Sequence, residues 1–282
     1  MRIAVVGARG QLGGAIVHEC SGSHETIPLG RAELDVTSDA QVAETLERIR
    51  PEAIVNCAAY TQVDAAEDHP VDALNANAFA VRALACAADR LGAAFVHYST
   101  DFVFDGTAST PYQEDDPPGP RSVYAASKLL GEWFARDAPR AYVLRVESLF
   151  GSAPRMAAKG SVAGILNTIR AGGSPKVFED RTISPTYVVD AAHATRRLLE
   201  TGAPAGVYHC VNTGSCTWLE FARELARALN NAPTLTPVRI ADMALRAQRP
   251  RYCALSNEKL RRAGIDMPTW QDALARYVRG LS

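Results

Sequence analysis

A phenol and an ammonium stand four residues apart at Tyr124 and Lys128, in a stretch that opens YSTDFVF around Thr100 and closes YAASK. On a helix that spacing puts both side chains on one face. A tyrosine with a pKa near ~10 is a weak acid at neutral pH, and a fixed cation beside it favours the phenolate. At roughly 6 Å and an effective dielectric of about 20, the attraction is on the order of 3 kcal/mol, or about two pKa units. The spacing therefore predicts a phenol with a lowered pKa. Thr100 follows a predicted strand over 94–99, and Ser122 is a plausible N-cap for the helix of Tyr124. Thr100 and Tyr124 can then converge on one carbonyl oxygen, protonating it as hydride reaches the carbon. A partly buried tyrosine and a surface lysine sharing a helix face would give the same four-residue spacing. The strand-end threonine and the turn described next favour the catalytic reading.

That turn is GARGQLG, in which Gly7, Gly10 and Gly13 are three apart, directly after the apolar run Ile3 to Val6 and at the start of a helical pattern. Strand, glycine turn and helix N-terminus form a cradle for a dinucleotide pyrophosphate. After the second strand, where an acidic residue would bind a ribose 2′-hydroxyl, the chain reads PLGR, and Arg9 lies within the turn itself. Arg9 and Arg31 suit a 2′-phosphate, so NADP(H) is expected, with NAD(H) as the second choice. In NCAAYTQVDAAE, small Ala58 and Ala59 let a flat cofactor approach the backbone, and Tyr60, Thr61 and Val63 project toward the cleft. Asp64 and Glu67 read as solvated loop or first-turn acids, with substrate contacts as the alternative.

Predicted strands over 3–6, 24–29, 53–57, 94–99 and 141–146 alternate with predicted helices over 39–50, 71–91 and 123–137. This rhythm predicts an α/β fold, a Rossmann-like doubly wound parallel sheet with right-handed crossovers. Beyond Val146 it changes. Helices over 161–171, 188–199 and 219–229, a final helix from Trp270, and strands near Val177 and over 207–211 follow, read as a smaller lobe folded against the sheet with the chain crossing between the two more than once. The chain has 282 residues, 47% of them apolar, a formal charge of -1 and a pI near 6.6. It offers no basic field for nucleic acid or an anionic membrane, and no apolar run of spanning length. Its six cysteines are scattered, with no C-x-x-C pair and no histidine cluster at metal spacing. They read as reduced thiols of a cytoplasmic protein.

Together these stretches resemble the dTDP-4-dehydrorhamnose reductases of the extended short-chain dehydrogenase/reductase superfamily, over nearly the whole chain. The matching segments are GARGQLG, VNCAAYTQVDAAE, YSTDFVFDG, VYAASKLLGE, SPTYVVDAA, GVYHCVNTGSCTW and RPRYCALSNEKL. The resemblance implies NADPH-dependent reduction of the 4-keto group of a nucleotide-linked 6-deoxyhexose, with Thr100, Tyr124 and Lys128 as the catalytic trio. It places Gly7, Gly10, Gln11, Leu12 and Gly13 at the pyrophosphate, Asp35 and Val36 near the adenine, and Ala58, Ala59 and Tyr60 along the cofactor. The expected division is an NADP-binding domain over 1–147 plus about 176–200, and a substrate-binding α/β lobe over 148–175 and 201–282. The implied partner is the sugar nucleotide, to a chain that is a monomer or homodimer.

Several positions refine the resemblance. Related 4,6-dehydratases carry an Asp-Glu pair after the threonine, whereas here Asp101 is followed by Phe102, which favours simple reduction. Many family members have a tryptophan where this chain has Ser148, which leaves the sugar open. Some have a metal-linked glutamate in the first helix where this chain has Ala15, so no metal is expected. Asp101, Phe102, Thr61 and Val63 are candidate substrate contacts. Arg246, Arg249 and Arg251 form a local basic cluster, and Arg249 and Arg251 are assigned to the substrate diphosphate, with a solvated basic turn as the alternative. Two other functions fit the same residues: a sister 4-ketoreductase making another deoxysugar, and a non-catalytic NADP-binding subunit like the regulatory subunit of methionine adenosyltransferase.

Overall fold

A computed structural model describes residues 1–152 and 160–281. In chain order the first half runs β1 (Arg2–Val6), α1 (Gln11–Cys20), β2 (Glu25–Leu29), α2 (Asp39–Ile49), β3 (Ala53–Asn56), α3 (Val63–Asp68), α4 (Pro70–Leu74), α5 (Ala80–Leu91), β4 (Ala94–Thr100), α6 (Val123–Ala135) and β5 (Ala141–Val146). The second half runs β6 (Leu149–Phe150), α7 (Gly160–Arg170), β7 (Lys176–Phe178), β8 (Thr182–Ile183), β9 (Thr186–Tyr187), α8 (Val188–Thr201), β10 (Gly206–His209), β11 (Cys216–Thr217), α9 (Trp218–Ala228), β12 (Thr236–Val238), α10 (Glu258–Arg262) and α11 (Trp270–Arg279).

Six strands form one parallel sheet in the order β10-β5-β4-β3-β1-β2. The chain starts in β1, beside the edge strand β2, and after β2 crosses back to build the sheet the other way through β3, β4, β5 and β10, the Rossmann-like arrangement expected from the alternation. Ile3 and Val5 pack with α1 and α8 on one face, while Ala4 and Val6 pack with α2 and α5 on the other. Alternate side chains point to opposite faces, so a strand covered on both sides must be apolar throughout. A separate core around Phe150, Phe221 and Trp270 joins α7, α9 and α11.

Membership of the sheet differs from the expected division of the chain. β10, expected in the smaller lobe, is the sheet's edge strand beside β5. β7, expected with the Rossmann part, pairs instead with β12, far along the chain. Three-residue strands such as β7 and β12 carry too little pattern to reveal their partners.

The predicted helix over 71–91 is also not continuous. A π-helical turn over Asn75–Phe79 separates α4 from α5. The cause lies across the interface, where α6 brings Gly131 against this turn so closely that a Cβ there would stand 2.1 Å from the Asn77 carbonyl oxygen. The widened turn and the missing side chain let the two segments meet. Gly131→Ala is expected to destabilise the fold by about 1–3 kcal/mol, read as a lower urea midpoint. An unchanged midpoint would show that α6 can withdraw at no cost.

Candidate active site

The carboxyl edge of the sheet is where open α/β proteins hold ligands, and two concavities lie there. A cleft of about 590 Å³ is lined by Gly10, Gln11, Leu12 and Gly13 of the glycine turn and α1. Also lining it are Ala59, Thr61, Val63, Thr100, Asp101, Phe102, Tyr124 and Lys128. A second pocket of about 470 Å³ is lined by Gly7, Gly30, Arg31, Asp35, Val36, Ala58, Ala59 and Tyr60. Ala59 borders both. Gly7 joins them sterically: its φ is +76°, and a Cβ there would lie 2.7 Å from the Ala58 nitrogen. The turn thus needs glycine both for conformation and for the approach of the loop after β3.

Three predicted residues line neither concavity. Arg9 is mostly exposed and pairs with Glu33 at 2.6 Å. Arg249 pairs with Asp64 at 2.8 Å, and its guanidinium stands 5.9 Å from the centre of the Phe102 ring, which places it beside the cleft's wall. Arg251 is mostly exposed, 3.6 Å from Asp180. Arg246 is likewise paired, with Asp68 at 2.7 Å. The basic cluster seen in sequence is therefore neutralised arginine by arginine. Asp64 and Glu67 are structural as well as acidic: Asp64 accepts the Ala247 N–H, and Glu67 accepts the Val123 N–H at the start of α6.

Tyr124 and Lys128 share α6, whose N-cap is Ser122, accepting the Ala125 N–H. Their chemistry differs from the simple ion pair expected. Burial is the largest influence on Tyr124 and the nearby Asp101 carboxyl adds to it, against the Thr100 hydroxyl, so the phenol is pushed up to about 12 rather than lowered. Lys128 is itself almost wholly buried, and burial brings its ammonium down to about 8 despite Glu132. Its Nζ donates to the Tyr98 carbonyl at 2.6 Å and stands 3.5 Å from His97 Nε2. Spacing alone describes a solvated cation near an exposed phenol, and burial reverses the sign of the shift. A phenol held neutral is a proton donor, not a base, across the neutral range. Thr100 Oγ1 donates to Asp101 Oδ1 at 2.9 Å and accepts the Phe102 N–H at 3.3 Å.

One positioning residue left no clear mark in the sequence. Asn77, fully buried in the π-helical turn, accepts the Tyr60 N–H at 2.8 Å and donates to the Tyr60 carbonyl and to Ser127 Oγ, each at 3.0 Å. It fastens the loop along both pockets to the helix of Tyr124 and Lys128. An asparagine in a helical pattern signals only a weak helix former, so its role emerges from the fold. Asn77→Ala leaves several buried polar groups unpaired, each costing about 1–3 kcal/mol. It is expected to lower both the urea midpoint and the affinity for NADPH, followed by fluorescence titration. Loss of stability with unchanged affinity would remove Asn77 from the positioning of the loop.

Comparison with known proteins accords with this geometry. The family model described as RmlD substrate binding domain matches residues 1–282. A dTDP-4-dehydrorhamnose reductase of Burkholderia thailandensis is 35% identical, covering 100% of this chain and 99% of its own. A probable dTDP-4,6-dihydroxy-2-methyloxan-3-one 4-ketoreductase of Streptomyces antibioticus is 37% identical over 97% of this chain and 93% of its own. The crystal structure of dTDP-4-dehydrorhamnose reductase from Bacillus anthracis in complex with NADP superposes with a TM-score of 0.93. It shares 33% identity and 99% coverage of both chains.

Proposed function

The chain belongs to the RmlD substrate-binding-domain family over its full length, and from that premise we propose that it is an NADPH-dependent oxidoreductase. Its substrate is the 4-keto group of a nucleotide-linked 6-deoxyhexose, most simply dTDP-4-dehydro-L-rhamnose, reduced to dTDP-L-rhamnose. The observation that carries this reading is the single cleft in which the glycine turn, Thr100, Tyr124 and Lys128 meet. NADP(H) is the carrier; NAD(H) remains the lesser alternative. Gly7, Gly10, Gln11, Leu12 and Gly13 hold the pyrophosphate, and Arg31, Asp35, Val36, Ala58, Ala59 and Tyr60 the adenosine half, in keeping with the pockets they line.

Bound NADPH supplies hydride to the carbonyl carbon. Thr100 donates a hydrogen bond to the carbonyl oxygen, turning from Asp101, and Tyr124 gives it the proton. The neutral phenol favoured by burial is the form this step requires. Lys128 orients the ribose and, while charged, stabilises the phenolate left behind. Thr61, Val63, Asp101 and Phe102 face the sugar, and Arg249 stands beside them for the diphosphate. Arg251 is the less direct candidate for that group because it is engaged with Asp180 on the exposed surface. The reaction belongs in the cytoplasm, in keeping with cysteines that are all free.

The sister reading, a 4-ketoreductase acting on a different deoxysugar, is favoured by one specific observation, the Streptomyces antibioticus relative at 37% identity. Purified protein with NADPH or NADH and a panel of nucleotide-linked 4-keto sugars separates the two by product identification. Failure to oxidise either cofactor with every sugar would sink the enzymatic reading. Tyr124→Phe is expected to bind NADPH normally and lose about 10² to 10⁴ in turnover, and full activity would remove Tyr124 from its role.

The pH profile provides a further check. Lys128 loses its charge as pH rises through about 8, whereas Tyr124 keeps its proton to about 12. The kcat/KM for reduction should therefore fall above about pH 8 in the native protein. Lys128→Met should be slow throughout and lack that step. A step near 8 that survives in Lys128→Met would assign it to another group.

A further inference from the structure

Behind Thr100, and reached from it through Asp101, lies a set of charged groups of which Glu147 and Arg181 have no part in the steps described above. Thr100 and Val146 are paired in register at the ends of β4 and β5, so the next residues, Asp101 and Glu147, leave adjacent strands side by side. Their carboxylate oxygens and Cys253 Sγ lie within 4.8 Å of one another. Arg181 joins them, with Nη2 3.5 Å from Asp101 Oδ2 and 3.6 Å from Cys253 Sγ. Asp101, Glu147 and Arg181 all line the cleft that holds Thr100 and Tyr124.

The set is held firmly but is incompletely paired. Glu147 Oε2 accepts the Ser184 N–H at 2.5 Å, and the Arg181 guanidinium lies 5.0 Å from the centre of the Phe102 ring. Yet Glu147 Oε1 and Arg181 Nε have no hydrogen-bond partner, and Asp101 Oδ2 has only the 3.5 Å ion pair with Arg181, although Glu147, Arg181 and Asp101 are 2%, 9% and 3% exposed. Buried polar atoms are almost always satisfied, and an acceptor and a donor without hydrogen bonds in residues that line the cleft suit a ligand with a hydroxyl group. The guanidinium already supplies the positive charge that a metal would bring to the carboxylates.

We propose that Glu147, with Arg181 beside it, is a specificity-determining residue that reads the sugar hydroxyl next to the reacting carbonyl. The ring position follows from the reduction reading on which the proposal rests. With Thr100 and Tyr124 on the C4 oxygen, the neighbouring ring atoms are C3, which carries a hydroxyl, and C5, which carries a methyl group. Only the C3 hydroxyl can both donate to Glu147 Oε1 and accept from Arg181. Ser148, whose φ is +45°, turns the chain immediately after Glu147 and leaves this wall without a large side chain.

The test compares a dTDP-linked 4-keto-6-deoxyhexose with its 3-deoxy counterpart, using the native protein, Glu147→Ala and the shape-conserving Glu147→Gln. A site whose buried groups are built to bind a hydroxyl rejects the analogue lacking it strongly. The native protein should therefore favour the 3-hydroxy sugar at least a hundredfold in kcat/KM. Glu147→Ala should cut that preference at least tenfold, chiefly through KM, with Glu147→Gln intermediate and NADPH affinity unchanged in both. A structural role would slow both sugars equally, and an unaltered ratio in a folded variant overturns the proposal. The same ratio is measured as binding of the two reduced sugar nucleotides to the NADP⁺ complex. Absence of turnover would count against the reduction reading, whereas equal binding of the two sugars would count against Glu147.

Discussion

The seating of α6 on the end of the sheet is the constraint from which the site follows. This helix carries the tyrosine and lysine, and polar groups as well as apolar packing fix its position. Gly131 lies against the Asn77 carbonyl, and Lys128 donates to the Tyr98 carbonyl in the middle of β4. One turn further on, Glu132 makes a two-pronged hydrogen-bonded ion pair with Arg145 of β5, at 2.9 and 2.8 Å, and accepts the Ser99 hydroxyl at 2.5 Å. A buried pair of this kind adds little net stability, since desolvation offsets most of the attraction, but breaking it is costly. Its effect is to forbid other registers of helix on strand. Tyr124 therefore meets Thr100 in one geometry.

That seating has an electrostatic consequence. A lysine taken from water into a wall of carbonyl and imidazole groups is easier to deprotonate, and a buried phenol is harder to ionise. Both shifts bring the pair closer to its neutral form, Lys128 to about 8 and Tyr124 to about 12. His97, beside Lys128, is driven well below its ordinary value first by burial and then by that ammonium. It therefore stays neutral and can pass hydrogen bonding on to Asn56, 3.2 Å from its Nδ1. Asn56 in turn accepts the Ala58 N–H at 3.1 Å. The lysine is thus linked through buried polar groups to the same cofactor loop that Asn77 holds from the other side.

Much of this was legible in the sequence wherever chemistry forced a local pattern. The glycine turn, the apolar strand β1 and the Ser122 cap follow from short-range rules, and each appears where expected. What stayed hidden depends on partners far away in the chain. Asn77 acquires its role from Tyr60 and Ser127, and the π-helical turn from Gly131. The sign of the Tyr124 shift depends on burial and on Asp101, which spacing along one helix does not contain. Arg249 and Arg251 looked like a phosphate cluster because their acidic partners, Asp64 and Asp180, lie 185 and 71 residues away by numbering. The pairing of β10 with β5 moved a segment from the lobe to the sheet for the same reason.

At Phe102 the chain places a ring where a carboxylate would change the surroundings of Tyr124. Its ring meets Tyr124 edge-on at 5.7 Å and has two guanidiniums near it, Arg181 at 5.0 Å and Arg249 at 5.9 Å from its centre. A carboxylate at this position would be drawn into ion pairs with both arginines and would stand beside the phenol as a second proton acceptor. The phenyl ring can accept no proton, and its face attracts the cations without neutralising them. Asp101 follows Thr100 just beyond the strand, with one oxygen accepting the threonine hydroxyl in this structure. The carboxyl that completes a pair with it arrives from the neighbouring strand, at Glu147, where the Ser184 N–H fixes its orientation. A group so tethered is suited to holding a hydroxyl in place rather than to swinging in as a base.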